Sequence, residues 1–209
     1  MRSKMNHFKI MIQLLVCCSF LSFVVHAQQN ENEPTAITHQ TVNDVITDMR
    51  ANEALYSSDN TKLIAMVEQR LLPRFNFNVM TQLAVGRPWN QASAEQKTTL
   101  QNEFRTLLVR TYSNVLFSKR NETTTIKSSN TTAQGDVNID MEVSSSAGEP
   151  VKLALRMRAD NGDWKVIDVT VGSVSLIVSY RTSFTSEISK SGIDGLVASL
   201  AEKNRKNME

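Results

Sequence analysis

From residue 39 onward the spacing of apolar positions changes from a helical period to a strand period and, near the C-terminus, back again. Val42, Val45, Ile46, Met49 and Leu55 recur at helical steps, which puts them on one side of a helix. Leu63, Ile64, Val67 and Leu71 repeat the pattern behind a capping candidate at Asp59 or Asn60. Pro73 ends that run, because proline has no N–H to continue the ladder. Phe75, Phe77, Met80, Leu83 and Ala84 predict a third helix that stops at Gly86. Ser93-Ala94-Glu95-Gln96 has the form of a capping box, in which each end residue accepts the other's backbone N–H. Leu100, Phe104, Leu107, Leu108, Val115 and Leu116 predict a long helix behind it.

The period then becomes two. Val137, Ile139, Met141 and Val143 alternate with Asn138, Asp140, Glu142 and Ser144. Val151, Leu153, Leu155, Met157 and Ala159 alternate with Lys152, Ala154, Arg156 and Arg158. Such alternation is the signature of half-buried antiparallel strands. Asp160-Asn161-Gly162-Asp163 reads as a hairpin turn, since Asn-Gly accepts positive φ angles, and Trp164 opens the next strand. Thr123 to Ser128 is a weaker strand. Helix returns from Tyr180 to Ile188, breaks at Gly192, and resumes over Leu196 to Ala201 with Asp194 as its cap. Helices, then a meander, then helices again predict an α+β fold, a twisted antiparallel sheet with one face covered by helices.

One stretch exceeds what such a sheet needs. Between Gly162 and Phe184, Val166, Ile167, Val169, Val171, Val174, Leu176, Ile177 and Val178 crowd together, with Gly172 among them as a bend out of the sheet. A strand packed on one face needs only alternate apolar residues. The surplus means either a doubly covered core or the wall of an apolar cavity.

The N-terminus sets the compartment. Arg2, Lys4 and Lys9 precede about 16 uncharged residues, Ile10 to Val25, and Val25-His26-Ala27 ends them with a small-residue cleavage pattern. A membrane-spanning helix needs roughly 20 apolar residues. The expectation is a signal peptide over 1–27, cleaved on export, then a flexible leader over 28–38, a single domain over 39–204 and a polar tail over 205–209. Cys17 and Cys18 do not make a lipoprotein signal, because Leu15 and Val16 stand where small residues belong. Cleavage removes both cysteines and leaves His39 as the one histidine, so no Cys or His metal site remains, and no cofactor is expected. Basic residues fall from 23 to 20 with Arg2, Lys4 and Lys9, against 21 acidic. A near-neutral chain argues against a broad nucleic-acid surface. No glycine-rich phosphate loop is present.

Candidate catalytic groups are few. Asp140 alternates with apolar residues and so lies on the polar face. Asp168 has apolar neighbours on both sides, and Tyr112 and Tyr180 could donate to a substrate, which keeps an isomerase-like carboxylate base open as an alternative. The blander role for Asp168 is a carboxylate satisfied by backbone or an arginine. Lys152, Arg156 and Arg158 form a solvated basic face or a dock for acidic partners.

Three segments carry a resemblance: LLPRFNFNVM (Leu71 to Met80), VGRPWNQASAEQKTTLQNEFRTLLVRTY (Val85 to Tyr112), and GDWKVIDVTVGSVSLIVSYRTSF followed by KSGIDGL (Gly162 to Leu196). In this order and spacing behind a signal peptide, the chain resembles the periplasmic phospholipid-binding component of the Mla lipid-transport pathway, the toluene-tolerance family. It departs from that pattern at Asn76, where Asp is common, at Ile167, where an aromatic is common, and at Val171, where a polar residue is common. The resemblance implies a curved antiparallel sheet wrapped by helices, a nuclear-transport-factor-like cone with an apolar pocket for the acyl chains of a diacyl phospholipid. The pocket expected from it draws on Met80, Leu83, Leu108, Tyr112, Met141, Leu155, Met157, Val169, Val171, Val174 and Leu176. It also implies a monomeric, non-enzymatic shuttle that maintains outer-membrane lipid asymmetry. Its partners would be an outer-membrane lipoprotein–porin complex and an inner-membrane ABC transporter with its substrate-binding ring. A periplasmic chaperone or lipoprotein carrier would show the same apolar surplus and differ in cargo.

Overall fold

The computed structural model describes residues 32–144 and 148–206. The expected signal peptide and the start of the expected leader lie outside the described residues. The rest of the leader differs from expectation: helix α1 (Asn32–Ala51) already includes Asn32 to Thr38. Pro34 falls in its first turn, where the missing N–H costs nothing. Thr38 is buried and donates its hydroxyl to the sulfur of Met157 at 3.3 Å. The segment is thus ordered by docking on the sheet, which its polar composition does not reveal.

The next helices begin where their caps predict. Asp59 separates α2 (Glu53–Ser58) from α3 (Asn60–Met66) and accepts the Thr61 N–H at 2.9 Å, so Asp59 and not Asn60 is the cap. A π-turn (Val67–Leu71) and a 3₁₀ turn (Leu72–Arg74) end the run at Pro73. Asn76 caps α4 (Phe77–Val85), which stops at Gly86 with φ 71°. The capping box forms as expected: the Gln96 N–H reaches Ser93 Oγ at 3.1 Å, and the Ser93 N–H reaches Gln96 Oε1 at 2.9 Å. It opens α5 (Ala94–Ser118).

Five antiparallel strands follow in sequence order: β1 (Thr123–Thr131), β2 (Val137–Ser144), β3 (Val151–Asp160), β4 (Asp163–Val171) and β5 (Val174–Ser175). Asn161 and Gly162 take φ 50° and 86° at the β3–β4 turn. Gly172, at φ 62°, turns β4 tightly back into β5 instead of easing the chain out of the sheet. Helix α6 (Leu176–Lys206) closes the fold, kinked at Gly192 and running on into the segment expected as polar tail. Asp194 does not serve as the expected cap. It accepts from Gln96 Nε2 at 2.6 Å and ties α6 to the head of α5.

Away from the sheet, Tyr56 is buried and donates its hydroxyl to Asp48, which also pairs with Arg70 at 2.9 Å. Burial first, and the Asp48 hydrogen bond second, push the tyrosine pKa from 10 up to about 12. The folded hydroxyl holds its proton more tightly than the unfolded one. Its contribution to stability is therefore whole below pH 10 and is lost as pH rises toward 12. Denaturant titrations should find that Tyr56→Phe loses less stability than the parent between those pH values. Parallel losses would refute this role for Tyr56.

Candidate functional site

The sheet carries a continuous apolar face built from cross-strand rows. Val137, Met157 and Val166 form the first row; Ile139, Leu155 and Val169 the second; Met141, Leu153 and Val171 the third; Val143 pairs with Val151 in the fourth. A bulge makes this possible. Met157 pairs with Val166 and Arg156 with Asp168, so Ile167 has no partner of its own. Strict alternation would send Asp168 and Thr170 to the face of Trp164 and Val166. The extra residue sends Val169 and Val171 there instead. A second bulge at Lys127 does the same for β1, adding Ile126 opposite Met141.

Burial falls along β3 and β4 but not along β2. Val137, Ile139 and Met141 are 0–5% exposed and Met157 and Val166 1–3%, whereas Leu155 and Val169 are half-buried and Val171 and Val151 reach 41% and 36%. The closed end is covered by Thr38, Ile37 and Phe75. Phe75 bridges to Val166, and the Asn76 N–H donates to the Val166 carbonyl at 2.9 Å. The helices meet the sheet backbone mainly along β4 and, through α1, at β1.

The apolar interior is correspondingly divided. One cluster is helical and includes Leu63, Met80, Leu100, Phe104, Phe184 and Leu200. The other belongs to the sheet and includes Val137, Ile139, Met141, Met157, Trp164 and Val166. Among the described residues, Phe75 is the one half-buried side chain that packs against both. The sheet face is therefore an apolar floor, covered at the Met157 end and more exposed on β3 and β4 toward Val151 and Val171, and it is the candidate trough.

The structure distributes the expected pocket residues unevenly. Met141, Leu155, Met157 and Val169 lie on the trough floor, and Val171 stands at its mouth. Met80, Leu108 and Tyr112 belong to the helical cluster. Leu83 borders a separate groove beside Arg87 and Arg181. Val174 is 55% exposed on β5, and Leu176 is half-buried at the start of α6. Phe75, Ile37 and Leu153 were missed. Leu153 was legible from its alternation with Leu155. Phe75 and Ile37 carry no local signal, because their role depends on which element folds over the sheet.

The polar candidates are engaged structurally. Asp168 is buried; its Oδ2 accepts from Ser175 at 2.6 Å and its Oδ1 from the Ile177 N–H at 3.2 Å. Ser175 in turn accepts the Val178 N–H at 3.0 Å, so the pair caps α6 from β4. Tyr180 packs edge-on to Phe104 at 4.9 Å, and its pKa is driven up by burial first and then by the neighbouring Tyr112 hydroxyl. Arg158 grips the buried Asp136 through two contacts of 2.6 and 2.8 Å, and Arg156 lies 3.6 Å from the same carboxylate. These two arginines of the expected basic face are thus committed within the chain; Lys152 remains exposed. No group of three or more His, Cys, Asp or Glu among the described residues could hold a metal ion.

Comparison with known proteins fits this geometry. The family model described as MlaC protein matches residues 39–202. The chain belongs to the MlaC family. It is 25% identical to the intermembrane phospholipid transport system binding protein MlaC of Haemophilus influenzae, over 92% of this chain and 94% of that protein. It is 21% identical to the toluene tolerance protein ttg2D of Pseudomonas putida, over 87% and 83% of the two chains. Its fold matches a phospholipid-binding protein from Ralstonia solanacearum, solved in complex with a phospholipid, at TM-score 0.78 and 34% identity over 85% of this chain and 99% of that one.

The departures from the MlaC pattern take on structural meaning in this setting. Asn76 Oδ1 accepts the Val79 N–H at 2.9 Å while its amide donates to Asp160 at 3.0 Å. An aspartate there would face a second carboxylate. Ile167 is the fully buried bulge residue, and Val171 is the trough's exposed lip.

Proposed function

We propose that this protein is a periplasmic carrier that holds the acyl chains of a diacyl phospholipid in the sheet trough and moves the lipid between the outer and inner membranes. The observation that carries this reading is the graded trough: a sheet face that is apolar along its whole length, yet closed at one end and open at the other. A closed core would bury Leu155, Val169 and Val171 as fully as Val137. The family membership and the lipid seen with the Ralstonia relative point the same way.

The energetics suit a carrier. Taking about 30 methylene groups out of water is favourable by roughly 24 kcal/mol gross, at about 0.8 kcal/mol each. A lipid crossing an aqueous gap therefore needs a cover. The bilayer offers the tails a similar environment, so the net difference between membrane and trough is small. Differential contacts with the donor and acceptor complexes can then set the direction. Those complexes would be an outer-membrane lipoprotein–porin assembly and an inner-membrane ABC transporter with its substrate-binding ring. No bond is made or broken in this scheme, and Asp168 serves α6 and not a substrate.

Native mass spectrometry of residues 28–209 purified from bacterial periplasm tests the reading. The expected result is a one-to-one adduct of phospholipid mass that solvent extraction recovers as lipid. A bare protein mass with an empty extract rejects the carrier, and a bound acylated peptide transfers the function to a lipoprotein carrier.

A further inference from the structure

The trough's apolar surface does not end at its mouth. Val171, the last residue of the third row, pairs with Val174 across the tight β4–β5 turn, and Val178 follows one turn into α6. Val174 and Val178 are 55% and 57% exposed, and Val151, at the open end of β3 next to the exposed Lys152, is 36% exposed. The same face of α6 then carries Arg181 and Thr185, three and seven residues beyond Val178. Arg181 and Thr185 border a groove of about 680 Å³ with Leu83 and Arg87. Arg181 spends only its Nε, on the Leu83 carbonyl at 2.7 Å. Half of the described lysines and arginines have an acidic partner, among them Arg70, Arg105, Arg120, Arg158 and Arg205. Arg87 and Arg181 have none among the described residues, and every charged residue lining their groove is basic.

We propose that this valine lip and the adjoining arginine groove form a surface that seats on a bilayer bearing anionic phosphates. The valines enter the acyl boundary, and Arg87 and Arg181 lie on the phosphate layer. Two features select a bilayer over a protein partner. The exposed apolar residues are small and aliphatic, and none is a Trp or Tyr of the kind that anchors protein hot spots. The apolar strip is also continuous with the trough floor, so a tail could pass between trough and membrane core without meeting water. The inference rests on the carrier reading for its purpose, but its observations are separate.

The test is flotation of the lipid-loaded mature protein with vesicles of phosphatidylglycerol and phosphatidylethanolamine at low salt. Pure phosphatidylcholine vesicles and 0.5 M salt serve as controls. The parent protein is expected to float with the anionic vesicles and to be released by salt. Arg87→Ser should weaken binding about fivefold at low salt, the usual effect of one basic residue at an anionic surface, and should match the parent at high salt. Val178→Asp should weaken it at least tenfold. An aspartate in the first turn of α6 favours that helix, so the variant is expected to fold. Both variants should keep the parent's content of co-purified lipid. A parent protein that never floats, or variants that float like it, overturns the proposal; an acidic protein partner would produce the first of these. A parent that floats but carries no lipid would count against the carrier reading alone.

Discussion

Leu155→Glu is expected to strip the protein of lipid at pH 7 while leaving it folded. Leu155 sits in the middle of the trough floor, between Ile139 and Val169 on the neighbouring strands, and is half-buried. A glutamate there can hydrate through the open mouth, so folding loses mainly the packing of one partly exposed leucine, about 1–2 kcal/mol. Lipid binding is different, because acyl chains exclude that water. The carboxylate must either be desolvated as an ion, which is the more costly route, or take up a proton. Protonating a group of pKa about 4.3 at pH 7 costs roughly 3.7 kcal/mol, or about 500-fold in affinity. At pH 5 the same cost shrinks to about fivefold. Lipid extracted per mole of protein, read beside a thermal melt, should thus be near zero at pH 7 and recover when the variant is reloaded at pH 5. A well-folded variant carrying one lipid per protein at pH 7 would remove Leu155 from the lipid's path.

The sequence disclosed what is written locally and concealed what is written between layers. The capping box at Ser93 and Gln96, the cap at Asp59, the stop at Gly86 and the Asn161-Gly162 turn all involve residues within a few positions of one another. Each could be read from spacing. The ordering of Asn32 to Thr38 could not, because it depends on a contact between Thr38 and Met157, 119 positions apart. The bulge at Ile167 was hidden for a related reason. An alternating pattern that slips by one residue looks like surplus hydrophobicity, and so the run after Val166 read as an excess. It is two faces in succession: Trp164 and Val166 before the slip, Val169 and Val171 after it. Beyond Val171 the surplus has another origin, since Val174 on the short edge strand β5 and Val178 at the start of α6 are exposed. Wall and core were indistinguishable in the sequence, because Met80 and Met157 differ only in which cluster surrounds them.

That division into two clusters yields a second large effect. Phe104 is fully buried at the contact of α5 with α6, edge-on to Tyr180 at 4.9 Å and to Phe184 at 5.2 Å. Truncation to alanine removes a whole ring from a close-packed site and leaves a cavity lined by two aromatics that cannot easily collapse. Such changes cost about 3–5 kcal/mol, with the paired ring contacts favouring the upper end. For a domain of this size each kcal/mol lowers the melting temperature by about 2–4 °C, so Phe104→Ala should melt roughly 10 °C or more below the parent. The lipid readout should move in the opposite way to that of Leu155→Glu. Phe104 belongs to the helical cluster and not to the trough floor, so the folded fraction at low temperature should still carry its lipid. Measured together, the two variants separate a helical core that sets stability from a sheet face that holds cargo. A Phe104→Ala protein that keeps its melting temperature, or that loses its lipid while still folded, would show that one shared interior does both.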